Sequence, residues 1–234
     1  QNAVENQTKY QKTFTFTFSP NDFSFSTQNG YDLVQLSQGT FTTEVGKPMI
    51  PVKNIKIALP ADMKITGVNI NDFKEQTQDG SFLLYPVQPP LRSNQRTNEN
   101  QFIQPDATTY QSVQIYPTKY IEVTGQNDLA GQSIAEVTIY SLHYMPMQKI
   151  LTTLTSITFT LEGTNGYICG DYLSPYVSEN GVELYQQMIQ TMVINPEDVR
   201  LRSSQIPQAS GVDPGDYDYV IITQDSWVSP FRPL

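Results

Sequence analysis

Few residues in this sequence could form a catalytic centre. It contains one histidine, His143, and one cysteine, Cys169. A nucleophile–base pair would need His143 to meet Cys169 or a serine, with a further group to orient the imidazole. His143 lies in an alternating stretch typical of a strand, where a histidine is usually packed or on the surface, and a single cysteine is usually a small buried hydrophobe. We therefore expect neither residue to be catalytic.

The sequence gives no stronger indication of a metal or cofactor site than of a catalytic centre. One cysteine cannot form an intrachain disulfide or a multi-cysteine metal site. Asp128 and Glu99 lie beside asparagines and could offer oxygen ligands to calcium, but their spacing does not resemble an EF-hand loop. No glycine-rich phosphate loop precedes a predicted helix, and no HxxxH pair is present. The sequence therefore predicts no metal and no cofactor.

The composition narrows the range of partners. The 234 residues carry a formal net charge of −9, and 16% of them are charged while 11% are aromatic. The negative charge repels phosphate backbones and anionic lipid headgroups, and no apolar run approaches the ~18 residues that cross a membrane. We therefore expect neither nucleic acid nor a membrane as partner. Aromatic, hydroxyl-rich strands could form a carbohydrate-binding face, although tyrosine and phenylalanine on sandwich strands usually belong to the core.

About ten short stretches have the two-residue periodicity of β-strands. A single helix is indicated over Glu179–Ile194, where apolar residues fall near one face. Short strands bounded by turn residues predict an all-β fold, an antiparallel two-sheet β-sandwich of jelly-roll or immunoglobulin-like type with one short helix near its C-terminal end. The predicted strands are Phe14–Phe18, Phe23–Phe25, Tyr31–Leu36, Phe41–Val45, Ile55–Leu59, Ile65–Ile70, Val113–Tyr116, Ile121–Thr124, Ile134–Tyr144 and Ile150–Leu161.

Two stretches interrupt the strand pattern. Residues 86–111 are rich in proline and polar residues and predict a loop that is functional or mobile. Residues 195–216 are rich in proline and glycine and resemble an interdomain linker. After them, Tyr217–Thr223 is a nearly continuous apolar run, typical of a strand covered on both faces. The predicted division is a β-sandwich domain over residues 1–203, a linker over 204–216 and the first strand of a second domain over 217–234.

Several short motifs follow one another in a characteristic order. They are, along the chain, the turn Val45–Val52 (VGKPMIPV) before the strand Ile55–Leu59, the turn Tyr116–Lys119 (YPTK), Leu129–Gly131 before the strand Ile134–Tyr144, and the run Tyr217–Thr223 (YDYVIIT). In this order they resemble the propeptide of the gingipain family of secreted, caspase-like cysteine peptidases, followed by the first strand of the catalytic domain. Ala130 departs from the pattern, since the family tends to have arginine there.

The resemblance implies a role for one loop. Family propeptides are β-sandwiches that assist folding of the enzyme and hold it latent by covering the active-site cleft, with a basic residue in the specificity pocket. Alignment on the turn at Tyr116 gives Lys119 this position, and Pro117, Thr118 and Tyr120 form the rest of the inhibitory loop. The implied partner is the catalytic domain of the same precursor.

The resemblance also implies where chemistry does not occur. The family's catalytic histidine and cysteine belong to the catalytic domain, and neither His143 nor Cys169 matches them, so the chain is expected to be inert. Arg200 and Arg202 become candidate processing sites, because the family includes Arg- and Lys-specific enzymes. A secreted, cell-surface or periplasmic location is implied, with a signal peptide removed before Gln1.

Two functions of other classes stay open. The polar and aromatic composition would also suit a carbohydrate-binding or adhesin-type sandwich of a secreted bacterial protein. A self-contained hydrolase using His143 would need a nucleophile within hydrogen-bond reach of the imidazole.

Overall fold

Ten β-strands and two α-helices form most of residues 9–90 and 102–203, the parts of the chain that the computed structural model describes. All of these residues belong to one unit, Gln1–Ser204. The strands are β1 (Lys9–Thr17), β2 (Phe23–Gln28), β3 (Tyr31–Leu36), β4 (Thr40–Phe41), β5 (Pro51–Ala58), β6 (Met63–Thr77), β7 (Ile121–Leu129), β8 (Gln132–Tyr140), β9 (Leu142–Met145) and β10 (Ile150–Asn165). The helices are α1 (Ala107–Tyr110) and α2 (Glu179–Met192).

The strands pair in two four-stranded sheets and one hairpin, always antiparallel. The first sheet has the order β1-β10-β6, and β9 pairs with the first residues of β10. The second sheet has the order β4-β5-β8-β7, and β2 and β3 form the hairpin. The predicted all-β antiparallel sandwich is therefore confirmed, together with a helix near its C-terminal end.

The main hydrophobic core lies between the two sheets. Ile57 of β5, Val137 of β8 and Phe159 of β10 are fully buried in it. The opposite face of β10 is polar, and the hydroxyls of Thr158 and Thr160 lie 2.9 and 2.8 Å from threonine hydroxyls of β1. The alternation seen in the sequence thus separates the core from the solvent-facing surface.

The predicted strand Ile134–Tyr144 is two strands, because the chain changes sheets at Ser141. β8 belongs to the second sheet and β9 to the first. The Ser141 hydroxyl donates to the carbonyl of Pro51 (2.8 Å), and its own carbonyl accepts from the N–H of Leu154 (2.9 Å). Ser141 is therefore bonded to both sheets. Since Ile139 before the crossover and Leu142 after it are both fully buried, the sequence shows no break in its apolar pattern there.

Two other predicted strands were wrong in whole or in part. Val113–Tyr116 is not a strand, and of these residues Tyr116 alone pairs, in an isolated bridge with Tyr144. The pairing stops there because Pro117 has no N–H to donate. Within the predicted strand Phe41–Val45, Phe41 alone belongs to β4.

The helices also differ in detail from the prediction. The short helix α1 lies in the stretch 86–111 that was predicted to be a loop, and it begins where the Asp106 carboxylate accepts from the Thr109 N–H (2.9 Å). Residues 91–101, including Glu99, lie outside the described residues. Neither α1 nor α2, the two helices of the described ranges, is long and apolar enough to cross a membrane.

The segment after α2 packs on the edge of the second sheet. Ile189 of α2 and Val199 are buried in a small apolar cluster there. The Asn195 side chain bonds to both backbone groups of Ala58, at 2.8 and 2.9 Å. Residues 195–203 are therefore part of the sandwich rather than a free linker. The predicted linker, 204–216, and the predicted strand of a second domain, 217–234, lie outside the described residues.

Candidate functional site: an anchored lysine loop

Residues 117–120 form a short loop that is fixed at both ends. Before the loop, Tyr116 and Tyr144 exchange both backbone hydrogen bonds, at 2.8 and 2.7 Å. The Tyr116–Pro117 peptide bond is cis, and the Tyr120 carbonyl accepts from the N–H of Tyr140 (2.9 Å) directly before β7 begins. Because backbone hydrogen bonds hold both of its ends, the loop has little conformational freedom to lose when it binds a partner.

The Lys119 side chain extends from this loop into solvent. It is 63% exposed, and its ammonium donates to Glu122 Oε2 at 2.6 Å. The hydroxyl of Tyr140 donates to the other oxygen of Glu122. Hydrogen bonds from Lys119 and Tyr140 hold the pKa of the Glu122 carboxyl below its usual value, and the Glu122 hydrogen bond raises the pKa of Lys119. Lys119 is therefore an exposed charged group whose ion pair with the half-buried Glu122 lies at the surface and is easily exchanged.

A groove of about 220 Å³ opens beside Glu122 and Tyr140. Hydroxyl and amide groups line much of it, together with the carboxylates of Glu44 and Glu122. None of its lining residues is a histidine or a cysteine, so the groove does not contain the nucleophile–base pair that a cysteine hydrolase needs.

His143 and Cys169, the two residues with the greatest catalytic potential, lie in different surroundings. His143 is buried in β9, where its Nε2 lies 3.2 Å from the Lys119 carbonyl oxygen and its Nδ1 lies 3.0 Å from Glu75 Oε1. Cys169 is buried near Asp171 and Asp128, and burial raises the pKa of its thiol. No contact among the described residues joins the two, and burial without a base makes the thiol a poor nucleophile.

Potential metal ligands among the described residues are similarly engaged in structural contacts. Asp128 accepts hydrogen bonds from the Ser133 hydroxyl (2.6 Å), the Tyr167 hydroxyl (3.1 Å) and the Gly170 N–H (2.7 Å). Within the ranges 9–90 and 102–203, no group of three histidine, cysteine or acidic residues could hold a metal ion.

Arg202 is held against the turn between β7 and β8. Its guanidinium donates to the Gly131 carbonyl and to Asp62, both at 2.9 Å, and lies over the ring of Tyr172. Its own carbonyl accepts from the N–H of Leu173 (2.9 Å). Gly131 has a φ of +81°, and a Cβ there would lie 2.1 Å from the Arg202 carbonyl oxygen. Glycine is therefore required for the segment to pack this closely.

Arg200 is held through its backbone, and its side chain is more accessible. Its N–H donates to Gln132 Oε1 (2.6 Å), while its guanidinium donates to the carbonyls of Glu197 and Val199 within the same segment. The two predicted processing residues thus lie together at one edge of the second sheet. Lys119 precedes the first residue of β7, whereas Arg202 touches the turn that follows the last residue of β7. The nine-residue strand β7 therefore separates the loop that carries Lys119 from the segment that carries the two arginines.

The fold and this site define a class of protein. A sandwich that presents one lysine on an anchored loop, and brings no histidine–cysteine pair together in its described parts, is suited to binding. The family Propeptide_C25 matches residues 12–171, more than half of the chain. The chain therefore belongs to this propeptide family, and it is the pro-domain of a gingipain-like peptidase. The resemblance found in the sequence is confirmed, and the carbohydrate-binding alternative is not favoured.

Two solved structures share the fold. One is the complex of the pro- and mature domains of RgpB from Porphyromonas gingivalis, at 14% identity and a TM-score of 0.61, covering 81% of this chain and 93% of that chain. The other is a structure of gingipain K from the same organism that concerns its zymogenic latency, at 22% identity and a TM-score of 0.55, covering 71% of this chain and 96% of that chain. No curated protein matches the sequence.

Proposed function

We propose that this domain inhibits the catalytic domain of its own precursor by placing Lys119 in that domain's specificity pocket, and that it assists the folding of the enzyme. Pro117, Thr118 and Tyr120 hold the lysine in position. The observation that carries the proposal is the geometry of the loop, which presents an exposed ammonium on a segment fixed at both ends by backbone hydrogen bonds. The domain itself is inert and acts in the secreted or cell-surface setting of this peptidase family.

The chemistry of Lys119 suits this role. A long flexible stem lets the ammonium reach a carboxylate at the bottom of a pocket. Its contact with Glu122 is exposed, so a carboxylate of the partner can replace Glu122 without leaving a buried charge unpaired. Because the loop is rigid, it loses little conformational entropy when it enters the pocket. The domain can therefore bind tightly even where the contact area is small.

The test is a titration of the catalytic domain of the same precursor with the full 234-residue chain, following hydrolysis of lysine- and arginine-terminated chromogenic peptides. We expect stoichiometric loss of activity with the wild type and an inhibition constant raised more than about tenfold by Lys119→Ala. Lys56→Ala is the matched control, because Lys56 is also an exposed lysine paired with a glutamate, at 3.5 Å from Glu136. An inhibition constant that Lys119→Ala leaves unchanged would remove Lys119 from the inhibitory role.

We further propose that latency ends by cleavage after Arg200 or Arg202. Both arginines follow the last helix of the sandwich, so cleavage there separates the folded domain from whatever follows it. Mass spectrometry of the released pro-domain would identify the terminal residue. Release of a pro-domain that ends at neither arginine would exclude both sites.

A further inference from the structure

A residue that fills a peptidase pocket is normally cleaved on its carboxyl side. If Lys119 binds as a substrate lysine does, the bond at risk joins Lys119 to Tyr120. The enzyme's thiolate would attack the Lys119 carbonyl carbon and release the amine of Tyr120, and water would then hydrolyse the thioester to leave a carboxylate on Lys119. An inhibitor that lasts must prevent the first of these steps.

In this fold the carbonyl at risk points into the domain. The Lys119 oxygen lies 3.2 Å from Nε2 of His143, whose side chain is fully buried. A carbonyl oxygen can only accept a hydrogen bond, so Nε2 carries the proton and donates it. An oxygen engaged in this way is not available to the backbone donors with which a peptidase polarises the bond it cuts.

The imidazole is itself fixed by its neighbours. Its Nδ1 lies 3.0 Å from Glu75 Oε1, although not in hydrogen-bond alignment. The Thr152 hydroxyl lies 3.4 Å from the same carboxylate oxygen and 3.3 Å from the His143 carbonyl. The ring of Tyr120 covers the imidazole at a centroid distance of 3.9 Å and packs on Phe73 at 4.4 Å. Lys119 and Tyr120, the two residues of the bond at risk, thus both contact the buried imidazole of His143.

We propose that His143 is a positioning residue that keeps Lys119 from being cut, by holding its carbonyl oxygen inside the domain. This inference rests on the proposed inhibitory role of Lys119. Removing the imidazole's hydrogen bond would let the peptide turn toward the nucleophile and would convert a lasting inhibitor into a slow substrate.

The experiment compares variants of the full chain after incubation with the catalytic domain. His143→Phe keeps a ring for Tyr120 to cover but removes the donor, and His143→Gln keeps an amide N–H that can reach the carbonyl. We expect the Lys119–Tyr120 bond of the wild type to stay uncut. His143→Phe should give a fragment ending at Lys119, with activity recovering at least about tenfold faster than with the wild type, and His143→Gln should restore much of the resistance. Mass spectrometry identifies the fragment, and chromogenic peptide hydrolysis follows the activity.

Leu142→Ala is the control for general loosening, because Leu142 is a fully buried neighbour in β9 that packs in a separate apolar cluster. Equal cleavage after Lys119 in Leu142→Ala and His143→Phe, at equal loss of thermal stability, would overturn the proposal. So would a folded His143→Phe that stays uncut.

Should His143→Phe fail to fold, Glu75→Ala removes the side chain that confines the imidazole beside Nδ1, from a position that is 20% exposed, and it should give the same fragment more slowly. A Glu75→Ala variant as resistant as the wild type would count against the proposal. The inhibition constant of Lys119→Ala distinguishes a failure of this inference from a failure of the inhibitory role on which it rests. If Lys119→Ala inhibits as well as the wild type, the inhibitory role of Lys119 fails. If Lys119→Ala inhibits weakly but His143→Phe stays uncut, only the role of His143 is overturned.

Discussion

Replacing Gly131 by alanine should release the segment that carries Arg200 and Arg202. Gly131 is the second residue of a two-residue turn in which Ala130 has a φ of +51° and Gly131 a φ of +81°. The new Cβ would lie 2.1 Å from the Arg202 carbonyl oxygen and 2.4 Å from its nitrogen. Backbone atoms cannot approach so closely, so residues 199–203 must move away.

The expected loss of stability has three parts. A left-handed conformation costs an alanine about 1–2 kcal/mol. Exposing Val199, which is 1% exposed in the folded domain, costs about 1.5–3 kcal/mol, and losing the hydrogen bond from Leu173 to Arg202 costs about 1 kcal/mol. The free energy of unfolding should therefore fall by about 3.5–6 kcal/mol, which corresponds to a Tm lower by roughly 7–24 °C in a domain of this size.

Gly30 provides a matched control. It is the second residue of the turn between β2 and β3, where Asn29 has a φ of +52° and Gly30 a φ of +81°, and a Cβ added to Gly30 would meet no atom of the described residues within 4 Å. Gly30→Ala should therefore show the conformational cost alone, about 1–2 kcal/mol. Circular dichroism gives the Tm values, and limited trypsin digestion gives the rate of cleavage after Arg200 and Arg202. Equal Tm losses in the two variants, with no faster cleavage in Gly131→Ala, would refute the reasoning.

Two further predictions concern the same edge of the sandwich. Asn195→Ala leaves the buried N–H and carbonyl of Ala58 without partners, and it should lower the free energy of unfolding by about 2–4 kcal/mol in urea denaturation; a loss below about 1 kcal/mol would show that water replaces the amide. Burial favours the neutral form of Asp198, but hydrogen bonds from Lys12 and Asn195 outweigh it and lower the pKa of this carboxyl. Its stabilising effect is therefore complete above the ordinary value of 3.8 and is lost as the pH falls through the lowered folded value. Asp198→Asn should reduce the fall in Tm below about pH 4, and an unchanged acid profile would contradict this assignment.

Local patterns located most of the strands but not all of their ends. Tyr31–Leu36 was predicted to its exact bounds, because the hairpin turn at Asn29-Gly30 and a two-residue repeat mark both ends. The change of sheets at Ser141 was missed, because burial on both sides leaves no change in hydropathy. β6 extends seven residues past the predicted Ile70, since its last residues are mostly exposed and polar and its pairing with β10 is decided by a strand far along the chain.

Only part of the candidate site could be predicted from the sequence. The motif resemblance pointed to Lys119 and its loop, and reasoning from single residues predicted that His143 lies in a strand, either packed or on the surface. The contact between them joins residues 24 positions apart, and the contact of Arg202 with Gly131 joins residues 71 apart. Such contacts depend on which strands become neighbours, and this is a property of the whole fold. The glycine at position 131 was a usable signal of a tight turn, but it did not reveal which segment packs against that turn.

Under the proposed function, the domain presents two kinds of basic residue to a peptidase: Lys119, after which the chain is not cut, and Arg200 or Arg202, after which it is. The topology of the fold accounts for this difference. The carbonyls of Lys119 and Arg202 are both bound by the domain, the first by His143 and the second by the N–H of Leu173. Beyond Lys119 the chain enters β7, which pairs along its length with β8, so freeing the Lys119 carbonyl would disturb the edge of a sheet. Arg202 lies in a segment that adds no strand to either sheet, although its backbone, its guanidinium and the buried side chain of Val199 hold it to the domain. Releasing this segment breaks those contacts but leaves both sheets paired, so the arginine side can be opened and cut while the lysine stays in place.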